Sequence, residues 1–316
     1  MIVSESLSRD FLRLIIWYPF RWCVQILPIR SALFILALTG KMHGFLNKRK
    51  KQKIERNLKR AFPNSKPNDI KTAIKTYFEN HYIDRLHIFL YPKLKKAKNR
   101  KKIFTLKGVS NLESIMDKKQ GAILMLGHYG PIQLPLYALG KKGFSIIQIG
   151  LPTDEGLSWI GRKIAFRLRL KYESMIPAKI YPANKFLRPV YMHLKKHGIV
   201  MMNIDPAGGG RWIGDMKFRK MFGHFIPFPI GAYALAEKTN SAILPLRIKK
   251  KSVSHFEFYI DPPIYGRNIS ANKNEALERM VEIYSKEIHI NPGLWHFWDE
   301  YEPGKLIRSE SNSSTM

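Results

Sequence analysis

The segment Leu126-Gly127-His128-Tyr129-Gly130-Pro131-Ile132-Gln133 carries the sharpest chemical signal in the sequence. An imidazole titrates near neutral pH and can take a proton from a hydroxyl. This one follows the apolar run Ala122-Ile-Leu-Met-Leu126, bounded by Gly121 and Gly127, and so stands at the carboxyl end of an expected buried strand. Open α/β sheets place their ligands there. The flanking glycines let a substrate or a second stretch of backbone approach closely. Taken alone, the segment fits somewhat better a histidine that only closes a strand end by hydrogen bonding.

Other chemistry is thinner. His193 and His197 are four apart, a spacing that a helical metal pair can use, but only Leu194, Lys195 and Lys196 lie between them. With two cations beside the pair and no acid or cysteine close by, no metal is expected and a solvated helix end is the better reading. Gly208-Gly209-Gly210 follows an apolar run without dinucleotide spacing, and no phosphate-loop lysine motif is present. Arg219 and Lys220 are candidates to meet phosphate, with a solvated pair as the plainer reading. The single cysteine, Cys23, excludes an intramolecular disulfide framework and a cysteine-based zinc cluster. It is compatible with a reducing, cytoplasm-facing environment.

The elements that must hold His128 alternate. Asn68-Asp69 offers a cap, and Ile70, Ile74 and Tyr77 recur at helical spacing, which predicts a helix over 69–88. Residues 104–108 read as a strand ended by glycine, and 110–118 as a short helix. Residues 145–149, 199–204 and 242–246 are further short apolar runs, with helical stretches near 132–139, 156–170, 183–196 and 230–239. This alternation predicts a largely parallel sheet covered on both faces. Residues 255–260 place Phe256, Phe258 and Ile260 on one face, as in a half-buried edge strand. Leu277, Val281, Tyr284 and Ile288 share one stripe of a last helix, about 273–288. The Ser-rich tail is expected to be disordered. No internal repeat is visible.

The 316 residues suit one large α/β domain or two ordinary ones. An apolar content of 45% and an aromatic content of 12% exclude disorder and fibrous repeats. Lys and Arg number 54 against 24 Asp and Glu, a net charge of +30, which suits nucleic acid, an anionic membrane or an acidic protein. Residues 41–110 hold 21 of these cations against four acids, many of them in the runs 48–51 and 93–102. The aromatics lie in apolar runs rather than among the basic ones, so no nucleic-acid partner is expected. Anionic lipid fits better, because the basic runs adjoin an apolar N-terminus. There, Arg13, Pro19, Arg21, Pro28 and Arg30 break every apolar stretch of the roughly 20 residues that a spanning helix needs. No small-residue cleavage site marks a secretory signal. A helix lying in the membrane interface is expected, with a core-docked amphipathic helix as the alternative. On the first reading, removal of residues 1–40 leaves the remaining fold intact.

Read together, the segments resemble the late acyltransferases of lipid A biosynthesis, a branch of the glycerolipid acyltransferase-like proteins, over about residues 27–300. Asn57-Leu58 with Phe62-Pro63 resembles the family's Asn-Leu-x-x-x-Phe-Pro segment, and Gly121 to His128 its catalytic strand and histidine. Arg188, Leu194-Lys195, Gly198 and Asn203-Ile-Asp205 fit the following block. Phe222-Gly223, Gly231 and Leu235-Ala236-Glu-Lys-Thr239 match the next, leading into Ile243-Leu-Pro245. Pro292, Trp295 and Trp298 fit the closing pattern.

The resemblance implies a mostly parallel central sheet flanked by helices, with a membrane-associating helical segment over 1–47, the acyltransferase-like domain over 48–305 and a tail over 306–316. It implies an O-acyltransferase that needs no bound cofactor, with an acyl thioester of acyl carrier protein or coenzyme A as co-substrate and a lipid or glycolipid acceptor. The expected location is the cytoplasmic face of the bacterial inner membrane, with peripheral or monotopic attachment to anionic lipids. By resemblance His128 is the base, and Arg188, Asp205, Arg219 and Gly223 support the site or bind substrate. Asp205 is equally read as a strand-end acceptor.

The family's acid, five residues after the histidine, is here Gln133. A Gln oxygen can hold the imidazole tautomer but offers no charge, so Gln133 is expected to stand in as orienter with slow turnover, and Gln133→Glu to raise the rate. A catalytically impaired lipid-binding scaffold is the alternative. Residues 225–230 are more apolar than the family's stretch, and Asp299-Glu300 replaces a basic residue. Both departures point to an acceptor other than the usual lipid A precursor.

Overall fold

In the computed structural model, which describes residues 6–150, 154–206, 214–266 and 272–308, the apolar runs become strands. They are β1 (Phe104–Lys107), β2 (Ala122–Leu126), β3 (Ile146–Gly150), β4 (Lys179–Pro182), β5 (Ile199–Asn203), β6 (Met216–Met221), β7 (His224–Pro229), β8 (Ala242–Ser252) and β9 (His255–Ile260). One seven-stranded sheet has the order β1-β9-β8-β2-β5-β3-β4. Only the β8–β9 pair in it is antiparallel. The whole of β2 is buried. Such uniform burial belongs to a parallel strand covered on both faces.

Helices supply that cover. Before the sheet come α1 (Leu7–Ile15), α2 (Arg21–Ile26), α3 (Ile29–Leu46), α4 (Lys48–Ala61), α5 (Pro67–Leu86), α6 (Tyr91–Leu94) and α7 (Ala97–Ile103). Between and after the strands come α8 (Val109–Asp117), α9 (Gln133–Lys141), α10 (Arg167–Glu173), α11 (Arg188–Lys195), α12 (Gly231–Thr239) and α13 (Lys273–Ile290). Local chemistry sets several starts. Pro67 opens α5, where its missing N–H costs nothing. Asn272 and Glu275 form a reciprocal capping box on α13.

Three expectations need correction, and one stretch with no expected structure proves to be a hairpin. The strand 255–260 is not an edge, because β1 pairs along its outer side. Residues 179–182 form a strand, and after a turn over 183–187 α11 begins only at Arg188, so the helix expected over 183–196 is shorter. The stretch 216–229 is a two-stranded hairpin with Phe222 and Gly223 at its turn. Both turn residues have positive φ, 51° and 78°, the backbone of a two-residue primed turn, which accounts for the glycine. The expected tail begins late: Leu306 and Ile307 are buried, and the Arg308 N–H bonds to the Phe225 carbonyl at 3.0 Å. Residues 309–316 and Gly208-Gly209-Gly210 lie outside the described residues.

The N-terminal helices are docked. In α3, Ala32, Leu33, Leu36 and Gly40 are buried, and the helix packs along α5. A boundary at residue 47 falls between α3 and α4, which both lie on α5. Cutting at residue 40 removes most of α3 from α5, so a loss of stability is expected rather than an intact fold.

Candidate active site

β2 and β5 run side by side with Leu126 opposite Asn203. Each chain continues two residues past that pair, to His128 and to Asp205, and the Ile204 N–H bonds back to the Leu126 carbonyl at 2.7 Å. Sheet register thus joins an imidazole and a carboxylate 77 residues apart. Nδ1 of His128 lies 2.7 Å from Oδ1 of Asp205. The His128 backbone N–H donates to both carboxylate oxygens at 3.0 Å. On the far side, Tyr284 Oη donates to Oδ2 at 2.6 Å and Trp295 Nε1 at 3.3 Å.

Asp205 is 3% exposed. Burial opposes its charge, but the charge of His128 and the hydrogen bonds from His128 and Tyr284 outweigh burial and hold the carboxyl below its usual range. Burial likewise disfavours a charged His128, and the Asp205 carboxylate more than offsets this, so the imidazole titrates above its ordinary value. An ionised carboxylate only accepts, so Nδ1 bears the proton and Nε2 the lone pair. Nε2 meets Asn203 Nδ2 at 3.1 Å.

A second set of contacts pins the loop. The His296 N–H donates to the His128 carbonyl at 3.0 Å and the Gly130 N–H to the Leu294 carbonyl at 2.8 Å. Tyr129 and Trp295 form a bridge, and the Phe297 ring lies 4.9 Å from the imidazole. Asp84 of α5 accepts from the Ile132 N–H at 3.1 Å. A loop held from both sides keeps its side chain preorganised. Three sequence blocks meet behind this clamp. Phe62 packs edge-on against Phe222 and Trp298, with ring centroids 4.8 and 5.6 Å apart, and Asn57 donates to the Trp298 carbonyl at 2.7 Å. Through Trp295, 4.7 Å from Trp298, this aromatic cluster reaches Asp205.

Gln133 does not take the part expected of it. It begins α9, donates to Glu173 at 2.9 Å and accepts from Tyr91 Oη at 3.3 Å. The carboxylate on Nδ1 is Asp205, so the missing motif acid leaves no hole. Gln133→Glu would set a second carboxylate against Glu173, where the two cannot both ionise cheaply. The expected result is no gain in transfer rate and a carboxyl whose folded pKa is raised. That penalty grows as pH rises above the ordinary carboxylate range, so the variant should melt lower than the native protein at pH 8 and much less so at pH 5. A rate gain would return Gln133 to the imidazole.

The remaining candidates lie apart from the dyad. Arg188 is exposed on the first turn of α11, at the carboxyl edge of the sheet, and has neither His128 nor Asp205 as a partner. Arg219 sits on β6 with Nε 3.4 Å from Glu278, and Gly223 serves the hairpin turn. His193 Nε2 lies 3.1 Å from the Ser145 carbonyl, and His197 leaves the helix at φ 61°, so the pair shares no helix face. Among the described residues no group of three or more His, Cys, Asp or Glu converges on a metal position. The sequence reading missed Asn203 and Tyr284 as site residues. A polar residue ending an apolar run two positions before Asp205 was the available signal for Asn203. Tyr284 looked like core, which it also is.

A family model of bacterial lipid A biosynthesis acyltransferases matches residues 6–299. No curated protein matches the chain. Among solved structures, the chain is similar to the 1-acyl-sn-glycerophosphate (LPA) acyltransferase PlsC from Thermotoga maritima. The identity is 15% and the TM-score 0.36, over 84% of this chain and 98% of that one.

Proposed function

The chain belongs to the bacterial lipid A biosynthesis acyltransferase family, and on that premise we propose that it moves a fatty acyl group from a carrier-protein or coenzyme A thioester to a hydroxyl of a lipid or glycolipid. One observation carries the reading: the 2.7 Å contact between Nδ1 of His128 and Asp205, which leaves Nε2 basic in a pinned loop. Nε2 takes the proton of the acceptor hydroxyl, whose oxygen attacks the thioester carbonyl. The imidazolium, balanced by Asp205, then returns the proton to the departing thiolate. Gln133 was the warrant for a silent scaffold, and a carboxylate supplied from β5 favours the enzyme. The test follows lipid products by mass spectrometry after incubation of the protein with each thioester and a lipid extract. Transfer that is lost in a folded His128→Ala variant is expected. Its absence with both donors, in native and Ala proteins alike, would sink the proposal.

Membrane attachment belongs to the same reading, on the cytoplasmic face of the bacterial inner membrane. α2 and α3 bury Val24, Leu33 and Leu36 while Ile26 and Phe45 are 83% and 80% exposed. Phe11, Trp22 and Phe34 are exposed as well. No described helix is long and apolar enough to cross a membrane, so the apolar surface is proposed to enter one leaflet. The basic runs divide into two sets. Lys50 is paired with Asp299 at 3.1 Å, and Lys93 and Arg100 donate to backbone carbonyls. Lys48, Arg49, Lys51, Lys95, Lys96, Lys98, Lys101 and Lys102 are exposed. Each cation near an anionic surface is worth about 1 kcal/mol. Neutralising the exposed set should weaken sedimentation with phosphatidylglycerol vesicles by more than 100-fold at low salt and far less at high salt. Equal binding at low salt would make them solvated faces only.

A further inference from the structure

The lone pair that the mechanism needs is already engaged. Asp205 takes the proton of Nδ1, so Nε2 is an acceptor, and the group that donates to it is Nδ2 of Asn203 at 3.1 Å. Asn203 is the last residue of β5, held in register with Leu126 in the middle of the sheet. A ring nitrogen has one in-plane lone pair, so a hydroxyl reaches Nε2 only by displacing this N–H. The displaced carboxamide stays close, because its backbone is fixed in a central strand and only two side-chain torsions move it. It therefore remains a donor beside the position that the thioester carbonyl must occupy.

We propose that Asn203 is a second catalytic group of this site, an oxyanion donor that caps Nε2 while the site is empty. The inference rests on the acyl-transfer reading. The acceptor hydroxyl takes the place of the amide on Nε2 and gives that nitrogen its proton. As its oxygen bonds to the acyl carbon, the carbonyl π pair moves onto the carbonyl oxygen, to which Nδ2–H donates. The pair then returns, the C–S bond breaks, and the thiolate leaves with the proton from Nε2. The amide thus binds the neutral imidazole in one state and the developing anion in the next, and only the second interaction lowers the barrier.

Two signatures of opposite sense follow for Asn203→Leu, which keeps the branching at Cγ and removes the donor. Loss of one preorganised oxyanion donor costs about 10²–10³ in kcat, with KM nearly unchanged. Loss of an N–H donated to the neutral ring also raises the pKa of His128, because the neutral form alone was stabilised. The test uses the full-length protein, a long-chain acyl thioester and a lipid extract for single-turnover rates, with imidazole NMR for the titration. Asn203→Asp, of the same shape but with no donor, serves if the Leu variant melts early, and it should lose at least as much rate. A fall of 10² or more in kcat together with a raised His128 pKa is expected. A kcat within threefold of native, or a loss shared by KM with the titration unmoved, overturns the role of Asn203 and leaves the acyl-transfer reading standing. If the native protein transfers nothing from either thioester, the reading itself fails and this inference falls with it.

Discussion

Asp205→Asn should lower kcat for acyl transfer by about 10⁴, the cost of the same change behind a catalytic histidine in a serine-protease triad. The reason is local. Three donors beside the ring converge on the carboxylate: the His128 N–H, Tyr284 Oη and Trp295 Nε1. An amide cannot serve all of them and Nδ1–H as well. If its NH₂ turns to the imidazole, the proton moves to Nε2 and the base is gone. The titration should shift too. His128 stands above its ordinary 6.5 because Asp205 outweighs burial. In the variant burial is opposed only by the weaker charges of Asp84 and Glu300, the pKa falls, and the acid limb of the rate profile moves to lower pH.

Stability carries the matching signs. The raised pKa of His128 stabilises the native fold below 6.5, and this is lost as pH rises through its folded value. The lowered pKa of Asp205 stabilises above 3.8, and this is lost as pH falls through its folded value. Both dependences should flatten in Asp205→Asn, as read by urea unfolding across pH. A loss of rate under tenfold would remove Asp205 from the chemistry.

Gly127→Ala should be strongly damaging for the addition of one methyl. A Cβ built there stands 1.9 Å from Tyr284 Cζ and 2.1 Å from its Oη, and the ring is buried. The ring has to shift, which breaks its bond to Asp205. Overpacking costs about 1–3 kcal/mol, and a buried polar group left unpaired adds about 1–3. We expect a loss of about 2–6 kcal/mol in urea unfolding, together with a fall in transfer rate. In Gly127→Ala/Tyr284→Ala the two costs should fall well short of additive, since the second change removes the clash made by the first. Strict additivity would mean that the two residues are not in contact.

His128 was legible because its strand is short, wholly apolar and closed by glycines, so the position of the histidine follows from period and punctuation. Its partner was not. Asp205 could be read as the end of another strand, but the pairing of the two depends on the β2–β5 register, a contact between segments that no local pattern encodes. Gln133 differs for the complementary reason: a sequence offset is not a spatial relation, and the first turn of α9 points the amide at Glu173. The β6–β7 hairpin is hidden in the sequence because Pro227 and Pro229 lie in β7. Proline argues against a strand within a sheet but is tolerated in a two-stranded ribbon, where both strands are edges. The broken apolar run at the N-terminus fits both a helix in the membrane interface and a helix docked on the core. The burial of Leu33 and Leu36 against the body answers to packing that hydropathy alone does not separate from contact with lipid.

The most direct measurement on the dyad is a ¹⁵N NMR titration of the His128 imidazole in the native protein, in Asp205→Asn and in Gln133→Ala. A ring protonated at Nδ1 in its neutral form is expected in the native protein. Its pKa should lie above the ordinary 6.5, fall in Asp205→Asn and stay put in Gln133→Ala. A neutral ring protonated at Nε2, or a pKa that moves with Gln133 and not with Asp205, would contradict the pairing of His128 with Asp205.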